Sequence, residues 1–196
     1  MKISQLIIRK ALIILSVAGC IASSGWATEL TLTPAHSSVG LDYATSFDIV
    51  ISGLGASQDL GAFALDIAFD PLILQVESYN LGDQLGAVGS DALDLSFGAS
   101  APGSFNIAET SLLTELSGQS NDDFVIGTII FKGIGSGMSL LGITGTLGDA
   151  GGNGIAYSAS TGSVSVPEPN LIPMLAFGLF GLITIRKSVK RKTGLI

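Results

Sequence analysis

Between Ala62 and Phe69 the chain alternates strictly: Phe63, Leu65, Ile67 and Phe69 fall on one side, and Ala62, Ala64, Asp66 and Ala68 on the other. A period of two is the pattern of a strand with one face on a core and the other on solvent. The pattern recurs. Phe47, Ile49 and Ile51 alternate with Asp48, Val50 and Ser52, and Leu93, Leu95 and Phe97 alternate with Asp94 and Ser96. Shorter runs at Leu74 and Val76, Phe105 and Ile107, Ile129 and Phe131, and Val164 and Val166 read the same way. Turn-forming clusters separate them at Gly53–Gly55, Asp70-Pro71, Gly82-Asp83, Pro102-Gly103, Gly133–Gly137 and Gly148–Gly154. Thr110–Leu116 has room for a helical turn or two. About nine short strands at this spacing predict an all-β sandwich or jelly roll over residues 28–166. No second domain and no solenoid-type repeat accompanies it.

Charge divides the chain into three parts. The 196 residues carry 9 Lys+Arg and 16 Asp+Glu, a net charge of −7. Lys2, Arg9 and Lys10 lie at the start, and Arg186, Lys187, Lys190, Arg191 and Lys192 near the end. Between them, in 28–166, Lys132 alone stands against fifteen acids, net −14 with His36 neutral. That sign excludes nucleic acid as a partner, because a phosphate backbone calls for basic residues. It keeps a domain soluble by self-repulsion and attracts cations or a basic partner. A single Cys and a single His exclude a disulfide framework, a His/Cys zinc site and a Cys–His catalytic pair.

Residues 1–27 have the three-part form of a secretory signal: a basic start, an apolar centre at Ala11–Ala22, and small residues at Gly25 and Ala27. The expected cut lies between Ala27 and Thr28. An uncleaved membrane helix is the alternative, disfavoured by the short apolar centre. Val17-Ala18-Gly19-Cys20 resembles the bacterial lipobox, which would instead make Cys20 the lipidated first residue.

The other end carries a second signal. Val166-Pro167-Glu168-Pro169 is stiff and extended, since each Pro fixes its own φ and restricts the residue before it. An uncharged run, Leu171–Ile185, follows, then the basic cluster and a tail, 193–196. As a helix at ~1.5 Å per residue, that run reaches about 22 Å, short of a ~30 Å hydrocarbon core. The basic end would stay cytoplasmic and the −14 segment outside. Together, Pro167, Glu168 and Pro169, the Gly178-Leu179-Phe180-Gly181-Leu182 run and the Arg/Lys end resemble the PEP-CTERM protein-sorting signal of Gram-negative, exopolysaccharide-producing bacteria. The resemblance implies that 167–192 is a sorting signal, its Pro-Glu-Pro motif followed by a short transmembrane helix over Leu171–Ile185 and the basic end, handed to an inner-membrane exosortase that removes the helix and its basic end. It places the processed protein at the cell surface, in the outer envelope or outside the cell.

Four stretches of the middle segment resemble the cohesin domain. They are Leu60-Gly61-Ala62-Phe63 leading to Phe69-Asp70-Pro71, Leu72–Tyr79, Gly127–Phe131 followed by Gly135–Leu140, and Gly162–Val166. Pro71 stops a strand ladder and Asp70 can cap the turn, so that the next strand starts on cue. The resemblance implies a nine-stranded jelly-roll sandwich. Cohesins of cellulosomes bind dockerins through one sheet face, but the sequence carries over no residue of that face.

Candidate chemistry is sparse. Asp149-Ala150-Gly151-Gly152-Asn153-Gly154 gathers a carboxylate, an amide and backbone oxygens, and Asp122 and Asp123 are adjacent carboxylates. Asp149, Asn153, Asp122 and Asp123 are therefore the candidate calcium ligands, with a hairpin turn as the alternative at 149–154. Neither set has the EF-hand spacing. Asp42, Asp48, Asp66, Asp91 and Asp94 are expected on exposed faces, where acids solubilise a sheet and guard its edges. His36, in a loop beside Ser37 and Ser38, forms no readable triad, and the Gly-rich stretches lack the Lys-Ser/Thr of a P-loop. The reading is a non-enzymatic exported protein without a cofactor, calcium apart. Its partners would be an exosortase in transit and then a surface protein or exopolysaccharide. A carbohydrate-binding module using Tyr43, Tyr79 or Tyr157, a calcium-dependent adhesin, and a glycosidase built on a carboxylate pair are the alternatives.

Overall fold

The computed structural model describes residues 28–55, 58–116, 119 and 123–168. The signal at 1–27, Asp122, Pro169 and the apolar and basic end lie outside the described residues.

The described chain is all-β. In order it forms β1 (Thr28–Thr33), β2 (His36–Ser38), β3 (Ala44–Ser52), β4 (Ala62–Ala68), β5 (Leu74–Leu81), β6 (Ala92–Asp94) and β7 (Gly98–Ala101). Then come β8 (Ser104–Ser111), β9 (Phe124–Gly133), β10 (Gly137–Gly148), β11 (Gly154–Ile155), β12 (Tyr157–Ala159) and β13 (Gly162–Val166). Thirteen strands are described where the spacing predicts about nine; eight are five residues or longer, and β2, β6, β7, β11 and β12 are segments of only two to four residues. Two sheets result. The smaller runs β12-β1-β3-β9-β5, and the larger runs β2-β13-β10-β4-β8-β6, with β11 on β10 and β7 on β8.

The alternation read in the sequence becomes the core. Phe47, Ile49 and Ile51 of β3 are wholly buried against Phe63, Leu65 and Ile67 of β4 and their neighbours. Phe131 is the aromatic centre, edge-on to Phe47 at 6.1 Å and to Phe69 at 5.4 Å. Such edge contacts align the positive rim of one ring with the negative face of the next.

The Asp70-Pro71 turn does what its residues predict. The Asp70 carboxylate accepts the Leu72 amide at 2.9 Å, and the Asp70 carbonyl accepts the amides of Ile73 and Leu74. The Asp70 amide donates to Ser139 Oγ at 2.9 Å, tying the turn to β10. Strand β5 begins at Leu74, the residue after the turn closes. Gly145 sits within β10 at φ 144°, opposite Leu65. A Cβ there would run into the Ala64 carbonyl, so the close approach of β10 to β4 needs glycine.

Two expectations are corrected. Thr110–Leu116 forms no helical turn: Thr110 and Ser111 finish β8 and the rest is irregular. Competing bonds explain it, since the Ser111 and Leu112 amides donate to the carbonyls of Gly61 and Asp91. Leu93, Leu95 and Phe97 do not enter the core; they are 42%, 51% and 85% exposed. Strand β6 stops at Asp94 and lies at the sheet edge, where the register puts Leu93 opposite Thr110 on the outer surface.

Phe131→Ala should cost about 3–5 kcal/mol in a denaturant titration, the range for a buried aromatic. Phe97→Ala should stay within about 0.5 kcal/mol of the parent, as for an exposed site.

Candidate binding face

Cross-strand partners share a face, so the register defines the outer surface of the larger sheet. Ala64 lies between Ala108 of β8 and Thr146 of β10, Asp66 between Asn106 and Thr144, and Ala68 beside Gly142. The floor is made of Ala, Gly and Thr, so it is flat and partly apolar. Larger side chains rise at its margins. Leu93, Leu95 and Phe97 stand along the β6 edge, with the Leu95 amide donating to the Ala108 carbonyl at 2.8 Å. Met138 and Leu140, 65% and 68% exposed, stand on β10 where it pairs with β13. One hollow of about 460 Å³ opens on this surface between Leu95, Ala64, Ala108 and Thr146, bordered by the 149–154 turn.

The amide at the centre of the floor is already committed. Asn106, almost buried, donates from Nδ2 to the Asp66 carboxylate at 3.1 Å and to the Leu65 carbonyl at 3.3 Å. Its Oδ1 accepts the Phe97 amide at 3.3 Å, which fixes the segment after β6 to β8. The floor therefore presents mainly shape and apolar contact, with the Asp66 carboxyl and the threonine hydroxyls as its polar groups.

Behind the β6 edge lies a group the sequence reading missed. Glu109 of β8 is 1% exposed and pairs in register with Asp94, on the same inward side as Phe63. Neither of its carboxylate oxygens has a hydrogen-bond partner among the described residues. Burial, with the neighbouring Asp94 charge adding to it, pushes the Glu109 carboxyl up to about 7. Asp94 behaves oppositely. Burial raises its carboxyl, but hydrogen bonds from the Ser96 side chain and backbone and from the Tyr79 hydroxyl outweigh that and hold it below the ordinary value. The signal for Glu109 was available: an acid at the odd position of the Phe105, Ile107, Glu109 series falls on the core face.

The other candidates stay apart. Asp149 and Asn153 do come together, as a turn. Asp149 Oδ1 accepts the Asn153 amide at 2.7 Å, and Asn153 Nδ2 donates to Asp149 Oδ2 at 2.9 Å. These bonds hold the Asp149 carboxyl below its usual range. The Asn153 side chain thus turns its nitrogen, not its oxygen, to the carboxylate. Asp123 is exposed just before β9, and Asp122 lies outside the described residues. Among the described residues no three His, Cys, Asp or Glu side chains converge as a metal site.

His36, expected in a loop, belongs to the short strand β2. It is exposed and its Nδ1 lies 2.8 Å from Ser163 Oγ. Asp42 pairs with Lys132 at 3.1 Å from a turn at φ 66°, and Asp48 accepts the Thr128 hydroxyl at 2.7 Å. Of the tyrosines, Tyr43 is 72% exposed. Tyr79 donates to Asp94 and stands edge-on to Phe105, and Tyr157 donates to the Gly145 carbonyl. They assemble no common sugar-stacking platform.

No family model matches the sequence, and no curated protein matches it. Solved structures do. The cohesin module of a family 33 glycoside hydrolase from Clostridium perfringens is 16% identical, with a TM-score of 0.59 over 73% of this chain and 98% of that one. The sixth cohesin of Acetivibrio cellulolyticus scaffoldin B, solved in complex with a dockerin, is 14% identical, with a TM-score of 0.59 over 71% and 99%. An OlpC cohesin from Clostridium thermocellum, also solved with a dockerin, is 10% identical, with a TM-score of 0.59 over 72% and 94%. The fold is thus the cohesin jelly-roll sandwich.

The Glu109 environment sets a pH dependence of stability. Below pH 4.5 its carboxyl is protonated in folded and unfolded chains alike; between 4.5 and about 7 only the unfolded chain ionises. Stability should therefore fall as pH rises through that window and level off above it. Melting curves of the parent should show the fall, and Glu109→Gln should remove it.

Proposed function

We propose that this protein is an exported, non-enzymatic binding module whose outer β10-β4-β8-β6 face docks a protein partner. The observation that carries the reading is that face: a flat Ala, Gly and Thr floor flanked by exposed Leu93, Leu95, Phe97, Met138 and Leu140. Exposed apolar side chains grouped on one surface mark an interaction site. Two of the structures with this fold were solved with a dockerin bound, which supports a folded protein as the partner. The partner would offer an apolar surface with basic groups around it, since segment 28–166 carries a net −14.

Export and sorting belong to the same reading. Residues 1–27 direct secretion with a cut between Ala27 and Thr28. The Pro167-Glu168-Pro169 motif and the segment ending in Arg186, Lys187, Lys190, Arg191 and Lys192 hand the chain to an exosortase. The processed module then serves at the cell surface or in the exopolysaccharide matrix.

Two measurements test this. Intact mass of the native protein from culture medium should run from Thr28 to about Pro169, with or without glycan; a membrane form retaining Arg186–Ile196 would overturn the sorting part. Ala64→Arg places a long charged side chain on the floor. It should leave the melting temperature within a few degrees and lower binding to the cells' own surface fraction by at least about tenfold, the scale of one lost interface contact. Unchanged binding would refute docking on this face.

A further inference from the structure

The segment that carries the β6 margin of the face is weakly held. Strand β6 pairs with β8 at three positions only, Ala92 with Ser111, Leu93 with Thr110 and Asp94 with Glu109. It is the last strand of the sheet among the described residues, and on its other side the 87–89 turn bonds to Ala92, whose carbonyl accepts the Gly89 amide at 2.8 Å. Beyond it, the Leu95 amide donates to the Ala108 carbonyl at 2.8 Å, and the Phe97 amide to Asn106 at 3.3 Å.

Under this edge two carboxyls face one another. Directly opposed residues of an antiparallel pair have Cβ atoms about 4.5–5.5 Å apart, and like charges there repel. Glu109 is enclosed, with Phe63 opposite it on β4, Asp94 on β6, and Ile107 on the same face of β8. Asp94 is the charged group that acts on it. Tyr79, reaching from β5, is engaged with Asp94, its hydroxyl donating at 2.9 Å. Among the described residues no basic side chain is paired with either carboxyl; the described ion pair joins Lys132 to Asp42. A buried carboxylate without a partner is costly, so the dry site favours the neutral acid.

We infer that Glu109 and Asp94 form a proton-operated latch: with Glu109 protonated the Ala92–Phe97 segment lies on the sheet, and with both carboxyls ionised it lifts, withdrawing Leu93, Leu95 and Phe97 from the outer face. The edge is the part that yields, because β4 and the rest of β8 are paired on both sides. Burial and the Asp94 charge push the Glu109 carboxyl up to about 7, which puts the transition in a physiological range. Linkage makes the effect reciprocal: a partner seated on these three side chains holds the segment down and helps Glu109 keep its proton. This binding consequence rests on the docking reading above; the latch itself does not.

Hydrogen exchange of the full-length chain tests the latch without any partner. After correction for the intrinsic rise of exchange with pH, amides of Leu95 and Phe97 should lose at least tenfold in protection between pH 6 and pH 8, while those of β4 do not. Glu109→Gln and Asp94→Asn should each keep the segment protected at pH 8. A flat profile in the parent, the same loss in Glu109→Gln, or closure at pH 8 by added calcium would overturn the proton latch. In the second arm, binding to the cells' surface fraction should weaken at least tenfold over the same range in the parent and not in Glu109→Gln. Exchange that follows the prediction with pH-independent binding would place the partner elsewhere on the molecule and refute the docking reading, while the latch stands.

Discussion

Strand β4 is the member on which both faces of the molecule depend. It is hydrogen-bonded on both sides, to β8 and to β10, over its whole length. Phe63, Leu65 and Ile67 point inward, where they help close the space between the sheets. Ala62, Ala64 and Ala68 point outward and leave that surface nearly level. A one-residue slip would exchange the two sets, burying alanines and exposing a row of large apolar side chains. Gly145 guards against such a shift, since its neighbours in β10 cannot approach the Ala64 carbonyl as closely as it does. Core and candidate face are thus one specification read from two sides.

The sequence made the central strands legible because their neighbours agree with them. The buried positions of β3 and β4 are all large and apolar, and every turn that bounds them carries Gly, Pro or Asp. The Asp70-Pro71 corner was readable residue by residue, since its bonds are local. The Leu93, Leu95, Phe97 row was misleading for the opposite reason. Its alternation is as clean as that of β4, but alternation states only that two faces differ, not which one is covered. The answer depended on Asp94 of the edge strand pairing with Glu109, which takes an inward place on β8, a long-range pairing that no local pattern contains. Thr110–Leu116 was ambiguous for a related reason: its backbone groups bond to Gly61 and Asp91, both distant in sequence.

Acid groups illustrate how location overrides type. Asp149, in a turn of its own making, is stabilised as an anion by Asn153. Glu109, with no hydrogen-bond donor among the described residues, is held as an acid by its surroundings. Composition counts them equally as negative charges, yet at neutral pH only the first is fully one. The net charge of the sandwich is accordingly a property of its folded state as well as of its residues.

The two ends of the folded segment have a further consequence, for the order of events in export. Thr28 is 3% exposed and already paired in register with Tyr157, while Ser52 stands opposite Glu29. A peptidase must hold several residues of extended chain on either side of the bond it cuts. A cut before Thr28 would therefore have to happen while β1 is still free, so that the sheet would assemble on a freshly made terminus. The other end imposes no such order. Val166 is buried at the end of β13, and Pro167 and Glu168 emerge exposed immediately after it. Processing at that motif would act on a finished sandwich held one or two residues from the enzyme. Trimming at the first end would have to precede the closing of β1 onto the sheet, and trimming at the second could follow it.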